Sequence, residues 1–253
     1  NGFRVRRVKK RKIGKRICIG IGVVLVLLVV LYILFVNFIQ KKAELLEQEF
    51  SHIEEISQRG TIDYDSVYYY TNRTVLDGTF GEIERATKNY IRDVYQEVEG
   101  LDAIINSSDF QNLLTVPVIL EDGPLFVESQ AYVEQTRKDL EKKKEAMIVL
   151  LEEDKIMEYY SDVHGIFSDL IHEELKASVL SDFQSTKEEI ENMMAMLDDY
   201  LVLISNTMSF LTENKDSWEL EGEYISFATD ELYNTYEAFI TRINDLSYRL
   251  NSI

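Results

Sequence analysis

Apolar residues at Ile190, Met194, Leu197, Leu201, Ile204, Met208 and Leu211 alternate steps of four and three. Leu232, Tyr236, Phe239, Ile243, Leu246 and Leu250 repeat the alternation. Such a period puts each set on one stripe of an α-helix, so each predicts a helix with a seam turned to a partner. Between them, Asn214-Lys215-Asp216-Ser217-Trp218 and Gly222 predict a loop, short enough to make the pair antiparallel. Upstream, Phe126, Val133, Leu140 and Met147 recur at seven-residue intervals, and the pattern continues to Val163. It predicts one unbroken helix of about 57 Å at a rise of about 1.5 Å per residue. Arg137, Lys138, Lys142, Lys143 and Lys144 keep its stripe narrow until Leu150 and Leu151 widen it. His164-Gly165 predicts a kink before a smaller helix carrying Phe167, Leu170, Ile171 and Leu175.

Ile83, Thr87, Tyr90, Val94, Leu101 and Ile105 predict a further helix. Asn106-Ser107-Ser108 ends it and caps a short one reaching Leu114, after which Pro117 and the turn Asp122-Gly123-Pro124 separate two larger units. Leu46, Phe50, Ile53 and Ile56 mark a helix over 40–59. Residues 60–79, with Gly60, Asp63, Tyr68-Tyr69-Tyr70, Asn72 and Asp77-Gly78, break the pattern and predict a tyrosine-rich loop.

From Ile17 to Val36 there is no polar face at all, and Phe38 and Ile39 extend the run past Asn37. Some 20 residues at ~1.5 Å each span a hydrocarbon core of ~30 Å, which predicts a transmembrane helix over 17–39. Arg4, Arg6, Arg7, Lys9, Lys10, Arg11, Lys12, Lys15 and Arg16 precede it, and only Lys41 and Lys42 follow closely. The positive-inside rule puts the tail 1–16 in the cytoplasm and the rest outside. The run is longer than a signal-peptide core and lacks a small-residue cleavage site, so it reads as an uncleaved signal-anchor.

Composition supports helices throughout: 253 residues hold only 11 glycines and 2 prolines, too few breakers for many short strands. The expected fold is all-α, an N-terminal transmembrane helix followed by an antiparallel bundle of four to five long helices over 80–253. Charge is divided sharply. The first 40 residues carry nine basic and no acidic side chains, leaving 18 of the 27 basic residues against all 45 acidic ones beyond them. So acidic a domain repels nucleic acid and anionic lipid.

Candidate chemistry is sparse. Cys18, alone, permits no disulfide framework. His52, His164 and His172 lack the spacing of a zinc motif, and Asp169, His172 and Glu173 form a weak grouping of metal-ligand character. Asp63-Tyr64-Asp65 opens like a calcium loop but has Tyr68 where such a loop needs glycine. No nucleophile motif or phosphate-cradling glycine loop is present. No cofactor or metal is therefore expected, and no motif ties the chain to a known family. Met193, Met194 and Met196 read as core filling beside the seam. Tyr64, Tyr68, Tyr69, Tyr70 and Trp218 remain as a candidate partner surface, because such side chains anchor interfaces at low entropic cost.

These readings favour a non-enzymatic, single-pass envelope protein of the plasma membrane whose outer bundle binds another protein or itself. A sensor binding a small molecule between helices ranks second, and expects a transmitting domain ahead of Asn1. A cell-surface enzyme ranks third.

Overall fold

The computed structural model describes residues 40–58, 62–164 and 167–250. It is mostly helical and bundle-like. In chain order the elements are α1 (Gln40–Gln58), α2 (Tyr64–Thr71), α3 (Gly78–Ile105), α4 (Ser108–Asn112), α5 (Val116–Asp122), α6 (Val127–Leu150), α7 (Glu153–Tyr159), α8 (Phe167–Glu213), β1 (Trp218–Glu221), β2 (Tyr224–Phe227) and α9 (Asp230–Leu250). Among the described residues no helix is long and apolar enough to cross a membrane. The span expected over 17–39 lies outside the described residues.

The described chain forms two compact units. The first, here the hairpin unit, holds 102–142 and 193–250; the second, the tyrosine unit, holds 40–101 and 143–192. Helices α3, α6 and α8 contribute residues to both.

In the hairpin unit the α8 seam behaves as its spacing demands: Met194, Leu197, Leu201, Ile204, Met208 and Leu211 are all buried. Met193 is buried too and Met196 half-buried, in keeping with core filling. Phe126, Val133 and Leu140 are buried along α6 and its first turn, with Ser129 and Thr136 at the intervening seam positions. The α9 stripe keeps Tyr236 and Ile243 from the expected set, while Ile240 and Ser247 take the buried places expected of Phe239 and Leu246. Its buried members are Tyr236, Ile240, Ile243 and Ser247. Phe239 moves to the flank, where its ring meets Phe210 at 5.8 Å between centroids.

The expected loop between these helices is a β-hairpin. Trp218 pairs with Phe227 and Glu221 with Tyr224, antiparallel, around a two-residue turn. Gly222 takes φ +64 there, a left-handed conformation that glycine reaches without a Cβ clash. Alternating Trp-Glu-Leu-Glu before Gly222 and Tyr-Ile-Ser-Phe after Glu223 is the strand signal that a helical reading passed over.

In the tyrosine unit, Ile53, Val67, Tyr90, Ile91, Tyr95, Val98, Ile156 and Tyr160 form the core. Tyr160 Oη and Thr87 Oγ1 are hydrogen-bonded at 2.9 Å, while Tyr159 meets the Tyr90 ring edge-on. The expected loop over 60–79 contains a helix, α2. Asp63 caps it by accepting from Ser66 N at 3.2 Å and Ser66 Oγ at 2.6 Å. Its buried residues are Val67 and Thr71, one turn apart.

The helix expected to run unbroken to Val163 stops at Leu150 and resumes at Glu153. The reason is a slip of phase. Continuing the stripe of Met147, Leu150 and Leu151 would turn Asp154 and Glu158 inward. A break at Glu152, extended at φ −82 and ψ 138, lets Ile156 and Tyr160 be buried instead. In contrast, α8 runs without interruption through 47 residues, joining what the sequence divides into a smaller helix and a seam helix. The kink expected at His164-Gly165 lies partly outside the described residues, which omit Gly165.

Candidate interaction surfaces

Glu84 and Lys88 extend the buried stripe of Ile91, Tyr95 and Val98 backward along α3, so two charges fall on an apolar face. Both side chains are essentially inaccessible. Lys88 Nζ donates to Glu84 Oε1 at 2.6 Å, to Glu49 Oε2 at 3.2 Å and to the Arg73 carbonyl at 3.0 Å, which satisfies its three donors. Glu84 in turn accepts from the N–H groups of Val75 and Leu76, the latter at 2.9 Å. Arg73 grips Glu49 with two parallel hydrogen bonds, 3.0 Å from Nε and 2.5 Å from Nη2. The cluster thus ties α1, α3 and the segment after α2 into one assembly.

Burial alone would raise the Glu49 carboxyl, but hydrogen bonds from Arg73 and Lys88, with their charges, hold it below its ordinary value. A carboxyl depressed by folding contributes stability that is complete above the unfolded value of ~4.3 and is lost as pH falls through the lower folded value. Acid titration followed by far-UV circular dichroism is expected to show stability declining below about pH 4. Glu49→Gln should flatten that decline, and an unchanged slope would rule Glu49 out as its source.

The structure distributes the five sequence-chosen residues and gives most of them internal partners. Tyr68 donates its hydroxyl to Glu99, and Tyr70 stacks on His52 at 5.2 Å. The Arg73 guanidinium lies over the rings of Tyr69 and Tyr70, at 4.8 and 4.6 Å. Tyr64 is half-buried at the start of α2. Only Tyr69 is largely exposed. Trp218 belongs to the other unit, where its Nε1 donates to the Leu211 carbonyl at 2.7 Å and satisfies a backbone acceptor near the α8 terminus.

Two surfaces that the sequence did not single out lie in the hairpin unit. Leu120 on α5 and Val127 at the start of α6 are two-thirds exposed, and Leu125 in the turn between the two helices is half exposed. That turn is braced from both sides. Asp122 accepts from Glu128 N at 3.0 Å and Ser129 N at 2.8 Å, while Phe126 is driven fully into the core at φ +50. Burial would raise the Asp122 carboxyl, but those backbone hydrogen bonds hold it below its ordinary value. Glu121 and Glu128, both exposed, rim the apolar patch. The second surface is a cleft of about 370 Å³ between α8 and α9. Asp199, Arg242, Asp245 and Arg249 line it together with Leu203 and Leu246.

Among the described residues no three His, Cys, Asp or Glu side chains stand close enough to hold a metal ion. The side chains of Asp169, His172 and Glu173 lie outside what is described. His164 contributes its backbone N–H to Glu82 at 3.3 Å. No protein-family model, no curated protein and no solved structure matches the chain.

Proposed function

We propose that this chain is a non-enzymatic envelope protein of the plasma membrane. Residues 17–39 anchor it, the basic tail 1–16 faces the cytoplasm, and the helical part outside docks another protein. The observation that carries this reading is the Leu120–Leu125–Val127 knob. Exposed apolar side chains scattered singly are ordinary, but three flanking one braced turn support a docking surface. The acidic rim of Glu121 and Glu128 favours an apolar pocket edged by lysine or arginine on the partner. This moves the interface away from the tyrosines, most of which are occupied internally.

The test is affinity capture of the full-length protein from its native membrane, in parallel with the triple variant Leu120→Glu, Leu125→Glu, Val127→Glu. A partner retained by the wild-type chain is expected to be lost by the variant. Equal capture by both would move the interface elsewhere, and no partner from either would leave the docking reading without support.

A small-molecule sensor is the second reading, favoured by the cleft between α8 and α9. Its acidic and basic side chains beside Leu203 and Leu246 suit a zwitterion the size of an amino acid. Thermal-shift titration with a panel of free amino acids would raise the melting temperature if the cleft is a receptor site.

A further inference from the structure

The large apolar side chains exposed in the tyrosine unit include Leu45 on α1, Tyr69 on α2, Val75 in the segment after α2 and Val149 on α6. Helix α1 starts at Gln40, immediately after the apolar stretch that ends at Ile39. Leu45 lies about 7.5 Å and Glu49 about 13.5 Å along α1 from that start, at the helical rise of ~1.5 Å per residue. Leu45 is half exposed. One turn later Glu49 holds Arg73, whose Nη1 donates to Tyr69 Oη at 3.0 Å. Tyr69 is 60% exposed, and Val75, two residues past Arg73, is 40% exposed. The Val75 N–H is held by Glu84, which shares Lys88 with Glu49. The ionic cluster therefore fixes Tyr69 and the Val75 backbone, and Leu45 stands one turn before its Glu49 on α1.

The charges of that cluster are balanced internally, two cations against two carboxylates, so it adds no net charge to the face. A tyrosine with a wet hydroxyl and an apolar ring suits the boundary between headgroups and acyl chains. We propose that Leu45, Tyr69 and Val75 rest on the zwitterionic headgroup–acyl boundary of the bilayer that holds residues 17–39. The occupant follows from the apolar stretch that ends at Ile39, six residues before Leu45, and from the balanced charge of the cluster. It rests on the membrane-anchored reading above. Its consequence is that the tyrosine unit lies against the lipid surface and does not swing freely on a stalk.

The test uses the full chain with Cys18→Ser and a single new thiol at Leu45→Cys, Tyr69→Cys or Val75→Cys. Each variant is spin-labelled and reconstituted into phosphatidylcholine liposomes. Collision with oxygen relative to a water-soluble nickel chelate is expected to be several-fold higher at each position than for a free nitroxide in the surrounding buffer. The Leu45 label stands outside the ionic cluster, so it reports even where Tyr69→Cys loosens the Arg73 contact. Labels that match the free nitroxide on a chain retained by the liposomes would overturn the docking and leave the anchor standing. A chain removed by alkaline washing would overturn the anchor, and the docking with it. Spectra broadened by coupling between labels would assign the face to a second copy and overturn the lipid assignment.

Discussion

Lys88→Met is expected to cost about 3–5 kcal/mol of folding stability, the range for removing one partner of a buried ion pair. The lysine satisfies two carboxylates at once, and its removal leaves Glu84 fully buried without its cation. The methionine fills most of the vacated volume, so the loss reports charge more than packing. Glu84→Gln should be milder, because the amide keeps one oxygen to accept from the Val75 and Leu76 N–H groups. Urea denaturation of the three proteins decides the matter. Lys88→Met within about 1 kcal/mol of the wild type would mean that water or rearrangement solvates the two carboxylates, against the usual cost of an unpaired buried charge.

A second large effect is expected at Phe126. This side chain is fully buried although its backbone sits at φ +50, a conformation costing a non-glycine residue roughly 1–2 kcal/mol. Phe126→Ala should lose about 3–5 kcal/mol through the emptied core site. The informative comparison is Phe126→Gly. Glycine is ordinarily worse than alanine by about 0.5–1 kcal/mol, through its greater freedom in the unfolded chain. At φ +50 glycine escapes the steric penalty, so Phe126→Gly is expected to equal or exceed Phe126→Ala in stability. Urea midpoints of the two variants measure this directly, and alanine ahead by its ordinary margin would show that the site relaxes its backbone. Leu114 adopts φ +59 at the other end of α5, so two left-handed non-glycine residues bracket the segment that presents Leu120.

The long seams were legible because a stripe of period near 3.5 has one physical meaning. The α8 members marked from Ile190 to Leu211 are all buried. What escaped the reading was decided by local phase or by distant partners. The break after Leu150 was visible in principle, since Ile156 and Tyr160 fall out of step with Met147 and Leu151. Helix α2 was hidden by three consecutive tyrosines, residues that favour strands, although the Asp63–Ser66 spacing of a cap stood in front of them. The hairpin was hidden because four-residue strands are too short to compete with the helical pattern on either side.

The ionic cluster was harder still. Glu84 and Lys88, one turn apart, look like a solvated surface pair until one notices that they lie on the stripe of Ile91, Tyr95 and Val98. Even then, Glu49 and the Arg73 carbonyl come from elsewhere in the chain, and only the folded arrangement brings them to Lys88. The internal partners of the candidate surface were hidden for a related reason. Tyrosine density marks contact area, and in this fold Tyr68, Tyr69 and Tyr70 meet Glu99, His52 and Arg73.

Trp218, hydrogen-bonded to the end of α8, is the only tryptophan in the chain and belongs to the hairpin unit. Its emission is therefore an optical reporter for one of the two units, while helical ellipticity sums over both. If the two signals fade together as denaturant rises, the helices common to both units join them in a single cooperative transition. If the emission shifts at a different denaturant concentration from the ellipticity, each unit melts on its own account. A stability quoted from tryptophan emission alone would then describe the hairpin unit only.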